Sequence, residues 1–445
     1  MDLRNRLLSQ SVVLFASRVF GAGLIFAAQA AIARFWGASV LGEYLLVIAV
    51  ANILAVGMPL GFQTVGTYFA AEYRARGRGQ ALNEFMSRAY GHVLICGALV
   101  TTCCYPLTSF LGEPGRVVAE HWLPACLMAI ATAVVYCNSA LLVGLKRPLA
   151  GFFADTIFRP LLIVACIAIA GLAIGADARL GELIWLLGLG FAAIAAGQHW
   201  WVRRAALELP PGPEATPGDA ARWWRFALPW AVVALATDFF FDIDLLLLSG
   251  LLDREALAVF GVLTRVFSLA AFGVAAVYAV VLPDMLASNA SSDRAAFARQ
   301  VGDANLMAGV VSAGLFVAVL LGGPTLMLLF GPEFSVGAMP LAVLCLALCI
   351  RSVFGPAALV LSLHDRPYAT LPAIGLGMGV LIGANLLLVP IHGLLGAAAA
   401  ALAAQTFWSA AMWLTVRRLA GIDVSILPRF KAFAARGVAP SRPSP

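Results

Sequence analysis

The sequence predicts an all-α polytopic membrane protein, with twelve transmembrane helices in two six-helix lobes and both termini cytoplasmic. Three observations predict it. The 445-residue chain is 62% hydrophobic and only 12% charged, with a mean hydropathy of +0.93, which leaves too little polar surface to cover a soluble globule of this length. Twelve apolar stretches reach the roughly 20 residues needed to cross hydrocarbon. Of the 29 Lys and Arg, 21 fall on alternate connections and the termini, only Arg34, Arg116, Arg179 and Arg254 fall on the other side, and Arg18, Arg159, Arg265 and Arg351 fall inside the spans. A bias of this kind orients the chain with its Arg-rich side in the cytoplasm.

The spans run in order over residues 11–33, 40–62, 89–110, 122–144, 152–174, 182–202, 226–250, 257–281, 301–322, 338–361, 370–389 and 394–416. The first imitates a signal peptide, but it is too long for one and Arg18 interrupts it. Between the sixth and seventh, Pro210, Pro211, Gly212, Pro213, Pro217 and Gly218 have a linker's composition. The expected organisation is therefore an N-terminal lobe over 1–210, a cytoplasmic linker over 211–225, a C-terminal lobe over 226–418 and a basic, disordered tail over 419–445.

Local matches point to a duplication. Leu145-Lys146-Arg147-Pro148 is followed about 219 positions later by His364-Asp365-Arg366-Pro367, and Gly42-Glu43-Tyr44 about 216 positions later by Ala258-Val259-Phe260. Repeats of six helices share one orientation, and transporters built this way place their site where the repeats meet.

Other classes of function fit poorly. A pI near 9.0 could suggest nucleic acid, but the basic residues sit in short connections and not on one face, so bilayer orientation explains them and no nucleic-acid partner is expected. The eight cysteines lie in apolar spans without CxxC or His spacing, so neither metal nor disulfide is expected. Asp242-Ile243-Asp244 reads as DxD, but it lies deep in an apolar span without a soluble domain beside it. The chain is not expected to be an enzyme, because its outer connections are too short to display catalytic residues, and no cofactor is expected.

Charges buried in hydrocarbon are kept at a cost of about 2.5–3.5 kcal/mol each, so those within the spans are the candidate functional residues. Asp155 and Arg159 are spaced to pair along the fifth helix. Asp238 and Asp242 share a face of the seventh at i, i+4, and Asp244 lies about 200° round from Asp242. Counted by depth, either Asp242 or Asp244 can partner Arg265, and the carboxylates not so paired are left for cation or proton coupling. Arg18 lies about 10 Å into the first helix, and Arg351 has no acidic neighbour in its own span.

Several of these residues also carry a resemblance. Ala33-Arg34-Phe35-Trp36-Gly37 with Leu41-Gly42-Glu43-Tyr44, then Ala71-Glu72-Tyr73, then Asp244, Gly250, Leu251, Phe260 and Arg265, and finally Leu388-Val389-Pro390-Ile391-His392-Gly393-Leu394-Leu395-Gly396-Ala397-Ala398 resemble motifs of oligosaccharide flippases. The resemblance covers about residues 5–425. It points to the polysaccharide-transporter, Wzx-type branch of the multidrug/oligosaccharidyl-lipid/polysaccharide superfamily. Ala38 and Ala258 depart from that branch's usual Pro and Gly.

The resemblance implies a MATE-like fold in a bacterial plasma membrane, with alternating access. The implied cargo is an oligosaccharide on a polyprenyl pyrophosphate, moved to the outer leaflet for surface polysaccharide synthesis. Implied partners are membrane lipids, a polysaccharide polymerase and a chain-length regulator. On this reading Arg18, Arg351 and Arg265 contact the pyrophosphate or anionic sugar, since guanidinium donors match phosphate oxygens. The resemblance carried by Asp244 and Arg265 also implies Asp244 as the partner of Arg265, which leaves Asp238 and Asp242 for cation or proton coupling. The alternative is a MATE-like multidrug or cation antiporter.

Overall fold

The computed structural model describes residues 3–171, 180–290, 294–363 and 367–428, which leaves Arg179, His364, Arg366 and the tail from 429 onward outside the described residues. Within them the chain is helical throughout, without a strand. The helices are α1 (Leu3–Trp36), α2 (Ala38–Gly57), α3 (Phe62–Ala75), α4 (Gly79–Cys103), α5 (Gly112–Glu120), α6 (Trp122–Gly144), α7 (Pro148–Phe153), α8 (Arg159–Ile169), α9 (Leu180–Leu207), α10 (Pro217–Asp238), α11 (Phe240–Leu248), α12 (Arg254–Ala290), α13 (Arg294–Met327), α14 (Ala338–Phe354), α15 (Ala357–Leu363) and α16 (Leu371–Leu419).

Among the described residues, nine helical stretches are long and apolar enough to cross a membrane, against twelve spans in the sequence. Each difference has a local cause. The third stretch falls on α4, whose opening turns carry Gln80, Asn83, Glu84, Ser87 and Arg88. The seventh is interrupted at Phe239 (φ −113°, ψ 21°), which separates α10 from α11. The last two merge in α16, 49 residues long, which if straight would measure about 74 Å against a hydrocarbon core of about 30 Å. It is not straight. Gly393 takes φ 53° and ψ −130°, and Gly377 packs directly on the Trp408 side chain, so the two halves double back on each other.

The chain forms two compact units, Met1–Gly261 and Val262–Pro445. Their boundary falls inside α12 because α10 and α11 pack on α2 and α3.

In the first unit α6 is the centre, packing on α9, α3, α2 and α4. In hydrocarbon, helices gain little from apolar burial and are held by close approach and interhelical hydrogen bonds. Both are present here. Gly144 abuts the Thr67 carbonyl and Ala70 of α3, and Thr67 Oγ1 donates to Ala140 O at 3.0 Å. On the α9 side, fully buried Asn138 donates to Ala195 O at 3.1 Å and accepts from Tyr90 OH at 2.6 Å. Gln198 Nε2 donates to Gly151 O at 3.0 Å.

The expected linker is ordered. Gly79 N donates to Pro210 O at 3.0 Å, Ala215 N to Glu84 Oε1 at 2.9 Å, and Arg78 pairs with Asp219 at 2.9 Å. Helix α10 begins at Pro217, nine residues before the expected span, because Thr216 and Asp219 close a reciprocal capping box and Pro217 presets the first turn. Just inside, Arg222 reaches Glu72 at 2.8 Å and Tyr68 OH at 2.7 Å, while Trp223 Nε1 donates to Tyr73 OH at 2.7 Å.

The Arg78 guanidinium hydrogen-bonded to Asp219 holds that carboxyl down to about 2, with help from the Thr216 backbone and hydroxyl. A depressed carboxyl contributes stability that is complete above its ordinary value near 3.8 and lost as pH falls through about 2. Asp219→Asn is therefore expected to cost about 1 kcal/mol at neutral pH and to flatten the fall in melting temperature between pH 4 and pH 2. A thermal-melt series against pH in detergent checks both.

In the second unit α14 packs between α13 and α16. Its core joins Phe297, Val301, Val360, Leu361, Val416 and Val424. Val424 belongs to the segment expected to be a disordered tail. Residues 422–426 instead pack inward, with Val424 fully buried, Ile426 N donating to Val353 O at 3.0 Å, Trp413 Nε1 donating to Asp423 at 2.8 Å, and the buried Asn305 amide donating to Val424 O. The apolar sequence Val424-Ser425-Ile426-Leu427 was the overlooked signal.

Candidate functional site within the membrane spans

The polar residues of the first unit converge on a short irregular stretch of the fifth span. Pro160 lacks an N–H and cannot satisfy the Thr156 carbonyl four residues earlier. The preceding turn, Ala154–Phe158, is wound as a π-helix, a local widening frequently found at functional sites. The Thr156 carbonyl lies so close to Gly21 of α1 that a side chain there would collide with it, and Ser17 Oγ and Thr156 Oγ1 are 3.3 Å apart. One turn away Arg18 lies over the Phe152 ring, 5.1 Å from its centroid. Arg18 is exposed. An exposed guanidinium within a span is costly against hydrocarbon and calls for water or an anion beside it.

Asp155 and Arg159 lie on the π turn and the residue after it, paired at 2.5 Å. Arg159 is the deeper partner, with a side chain only 13% exposed against 49% for Asp155. It donates to Thr132 Oγ1 of α6 at 3.1 Å and lies 4.3 Å from the Phe191 ring centroid. Tyr136 of α6 sits beside the same guanidinium, within electrostatic reach of both Asp155 and Asp242. Asp242 is buried and accepts from Asn52 Nδ2 of α2 at 3.2 Å. Asn52, Thr132, Tyr136, Asp155, Arg159 and Asp242 thus form one polar cluster inside the first unit. Sequence reasoning missed Asn52, Thr132 and Tyr136, although isolated polar residues in apolar stretches were the available signal.

The seventh span departs from expectation at its acidic residues. The interruption at Phe239 falls between Asp238 and Asp242, so the i, i+4 relation of an unbroken helix is lost. Asp238 is exposed, and its Oδ1 accepts from Thr237 Oγ1 at 3.3 Å, whereas Asp242 and Asp244 are buried on α11. Arg265 is half-buried on α12. The expected partnership of Asp244 with Arg265 spans the two units and remains an expectation.

In the second unit Arg351 lies near the end of α14 beside Tyr278, whose hydroxyl donates to Asn305 Oδ1 at 3.1 Å. Among the described residues neither Arg18 nor Arg351 forms a salt bridge, in contrast to Arg159.

One further charge cluster lies where the start of α12 meets α2 and α5. Arg254 at the start of α12 bridges Glu43 of α2 and Glu113 of α5, the latter at 2.8 Å. Gly42 lets α2 approach the Arg254 carbonyl. A cavity of about 770 Å³ beside them is lined also by Ser39, Leu46, Asp253 and Glu255. The sequence marked Arg254 only as one of few outer cations. Among the described residues no group of His, Cys, Asp and Glu could hold a metal ion.

Comparison with known proteins gives the fold a context. No family model and no curated sequence matches the chain. Solved structures do match. An inward-facing multidrug resistance MATE family transporter of the MOP superfamily aligns over 96% of this chain and 99% of its own, with TM-score 0.75 and 14% identity. The lipid II flippase MurJ, in an inward closed conformation, aligns over 97% and 94%, with TM-score 0.72 and 12% identity. A MOP superfamily transporter from Pyrococcus furiosus, described as having a binding pocket of reverse polarity, aligns over 92% and 95%, with TM-score 0.59 and 12% identity. The chain has the fold of the MOP superfamily transporters. It is a multi-pass membrane protein, and the proteins it resembles are transporters and flippases, not enzymes.

Proposed function

We propose that this protein is a flippase carrying polyprenyl-pyrophosphate-linked oligosaccharide from the cytoplasmic to the outer leaflet of a bacterial plasma membrane, for surface polysaccharide synthesis. The observation that carries this reading is the pair of intramembrane guanidinium groups, Arg18 and Arg351, without a carboxylate partner among the described residues. A cation held within a membrane span without a counter-ion is costly against hydrocarbon and is kept where an anion arrives to neutralise it. Forked guanidinium donors suit a diphosphate, whereas a cationic drug would be repelled. Arg265 is the third proposed contact. The likeness in fold to a lipid II flippase supports a lipid-linked cargo.

On this reading the chain crosses the membrane twelve times, with α4, the α10–α11 pair and the two halves of α16 each counted as crossings, and both termini are cytoplasmic. Asp238 and Asp242 are the proposed ion-coupling residues, and the Asp155–Arg159 and Asp244–Arg265 pairs the structural ones. A polymerase and a chain-length regulator are the proposed partners.

The alternative, a MATE-like cation antiporter, draws on one observation, the carboxylates of Asp238 and Asp242 within the seventh span. Purified protein in proteoliposomes separates the two. The flippase reading requires an inner-leaflet pyrophosphate-linked saccharide to become accessible to a membrane-impermeant glycosidase. Uptake of a cationic amphiphile against a proton or sodium gradient, with no saccharide exposure, would replace it with the antiporter.

A further inference from the structure

A second basic site lies apart from the intramembrane cluster, at the end of the first unit where α6 passes into α7 and α9 ends. A cavity of about 650 Å³ there is lined by Lys146, Arg147, Trp200, Trp201 and Arg204 together with the first residues of α7. The Arg bias places this end at the cytoplasmic headgroup layer, where Trp side chains accumulate. Both tryptophans are about half exposed, and the Arg204 guanidinium lies over Trp200, 4.2 Å from its ring centroid. Arg147 is neutralised by Glu208 at 2.5 Å. Lys146 and Arg204 have no carboxylate partner among the described residues.

The backbone at Lys146 is left-handed. Helix α6 ends in a Schellman cap, with Lys146 N donating to Val143 O at 3.1 Å and Arg147 N to Leu142 O at 2.8 Å, and Lys146 sits at φ +61°. That left-handed position favours glycine. Helix α3 closes with the same pair of hydrogen bonds, and there the position is Gly77, at φ +63°. Glycine at Lys146 would relieve this strain while removing the ammonium, so the position separates backbone from charge.

We infer that this cavity binds the phosphate of an anionic phospholipid in the cytoplasmic leaflet, between Lys146 and Arg204, with the glycerol and upper acyl chain lying against Trp200 and Trp201. Each juxtamembrane cation strengthens attraction to anionic lipid about fivefold. The site is separate from the proposed cargo path, so its test does not depend on transport.

The test is the melting temperature of the full chain in detergent, titrated with phosphatidylglycerol or phosphatidylcholine. Phosphatidylglycerol is expected to stabilise wild-type protein more than phosphatidylcholine does. Lys146→Gly and Arg204→Gln should each weaken the apparent affinity for phosphatidylglycerol about fivefold. Lys146→Gly relieves the left-handed strain, so it should melt no lower than wild type in phosphatidylcholine, which separates lost binding from lost folding. Unchanged phosphatidylglycerol affinity in both variants would overturn the inference. Equal protection by millimolar inorganic phosphate would also overturn it, because the occupant would then be a soluble phosphate.

Discussion

Arg18→Ala is expected to lower the rate of saccharide flipping by about 100-fold at unchanged protein level, with Arg18→Lys retaining a measurable fraction. Arg18 meets Phe152 and no acidic side chain among the described residues, so removing it strands no buried carboxylate and should leave the fold intact. A hydrogen bond to a charged group is worth about 1.5–3 kcal/mol, and two such bonds to one diphosphate account for a factor of this size. Lysine keeps the charge but loses the forked geometry. Arg159→Ala gives the contrast, since it removes the partner of Asp155 and a contact to Thr132. Its effect should appear first in thermal stability. The check is the glycosidase-accessibility assay in proteoliposomes, with circular dichroism melts of the same preparations.

Trp223→Ala is expected to destabilise the protein by about 3–5 kcal/mol, the usual range for truncating a large buried aromatic. Trp223 has no exposed surface, stacks edge-on against Phe85 and Tyr73, and carries the Arg88 guanidinium 5.0 Å above its ring. Its indole N–H donates to Tyr73 OH, so truncation also leaves that buried hydroxyl unsatisfied. Trp223→Phe should recover the packing but not the hydrogen bond and lose about half as much. Comparing the neighbouring Trp224→Ala, whose ring is 37% exposed, shows whether the loss is specific to the buried position. Detergent melts of the three variants decide it.

Composition and the distribution of arginine made the membrane character and helical class legible, because insertion energetics act on every residue of a span and leave a dense signal. Features that depend on one or two residues were harder to see. The break at Phe239 has no glycine or proline beside it, so nothing in the apolar run from Phe226 to Gly250 distinguishes the break from continuous helix. The start of α10 was hidden for the opposite reason. Thr216, Pro217 and Asp219 form a strong helix-start signal, but it stands in a run of Pro and Gly that reads as linker.

At the candidate site, the charged residues stood out because charge is rare in hydrocarbon. The Asp155–Arg159 contact follows from helical spacing. Asn52, Thr132 and Tyr136 did not stand out, since Asn52 is on α2 and the other two on α6, and only the packing of α2, α6, α8 and α11 brings them to Asp242 and Arg159. The Arg254 bridge likewise joins the start of α12 to α2 and α5, which are distant from it in sequence.

The claim on which the account rests is that intramembrane guanidinium groups recognise the diphosphate of a lipid carrier. Its most direct test is the affinity of the purified protein for polyprenyl pyrophosphate and for the polyprenyl alcohol of the same length. Wild-type protein should bind the pyrophosphate about 100-fold more tightly, and the Arg18→Ala, Arg351→Ala double variant should lose that preference while still binding the alcohol. Equal affinity of wild-type protein for the two lipids, or a preference that survives the double substitution, would contradict it.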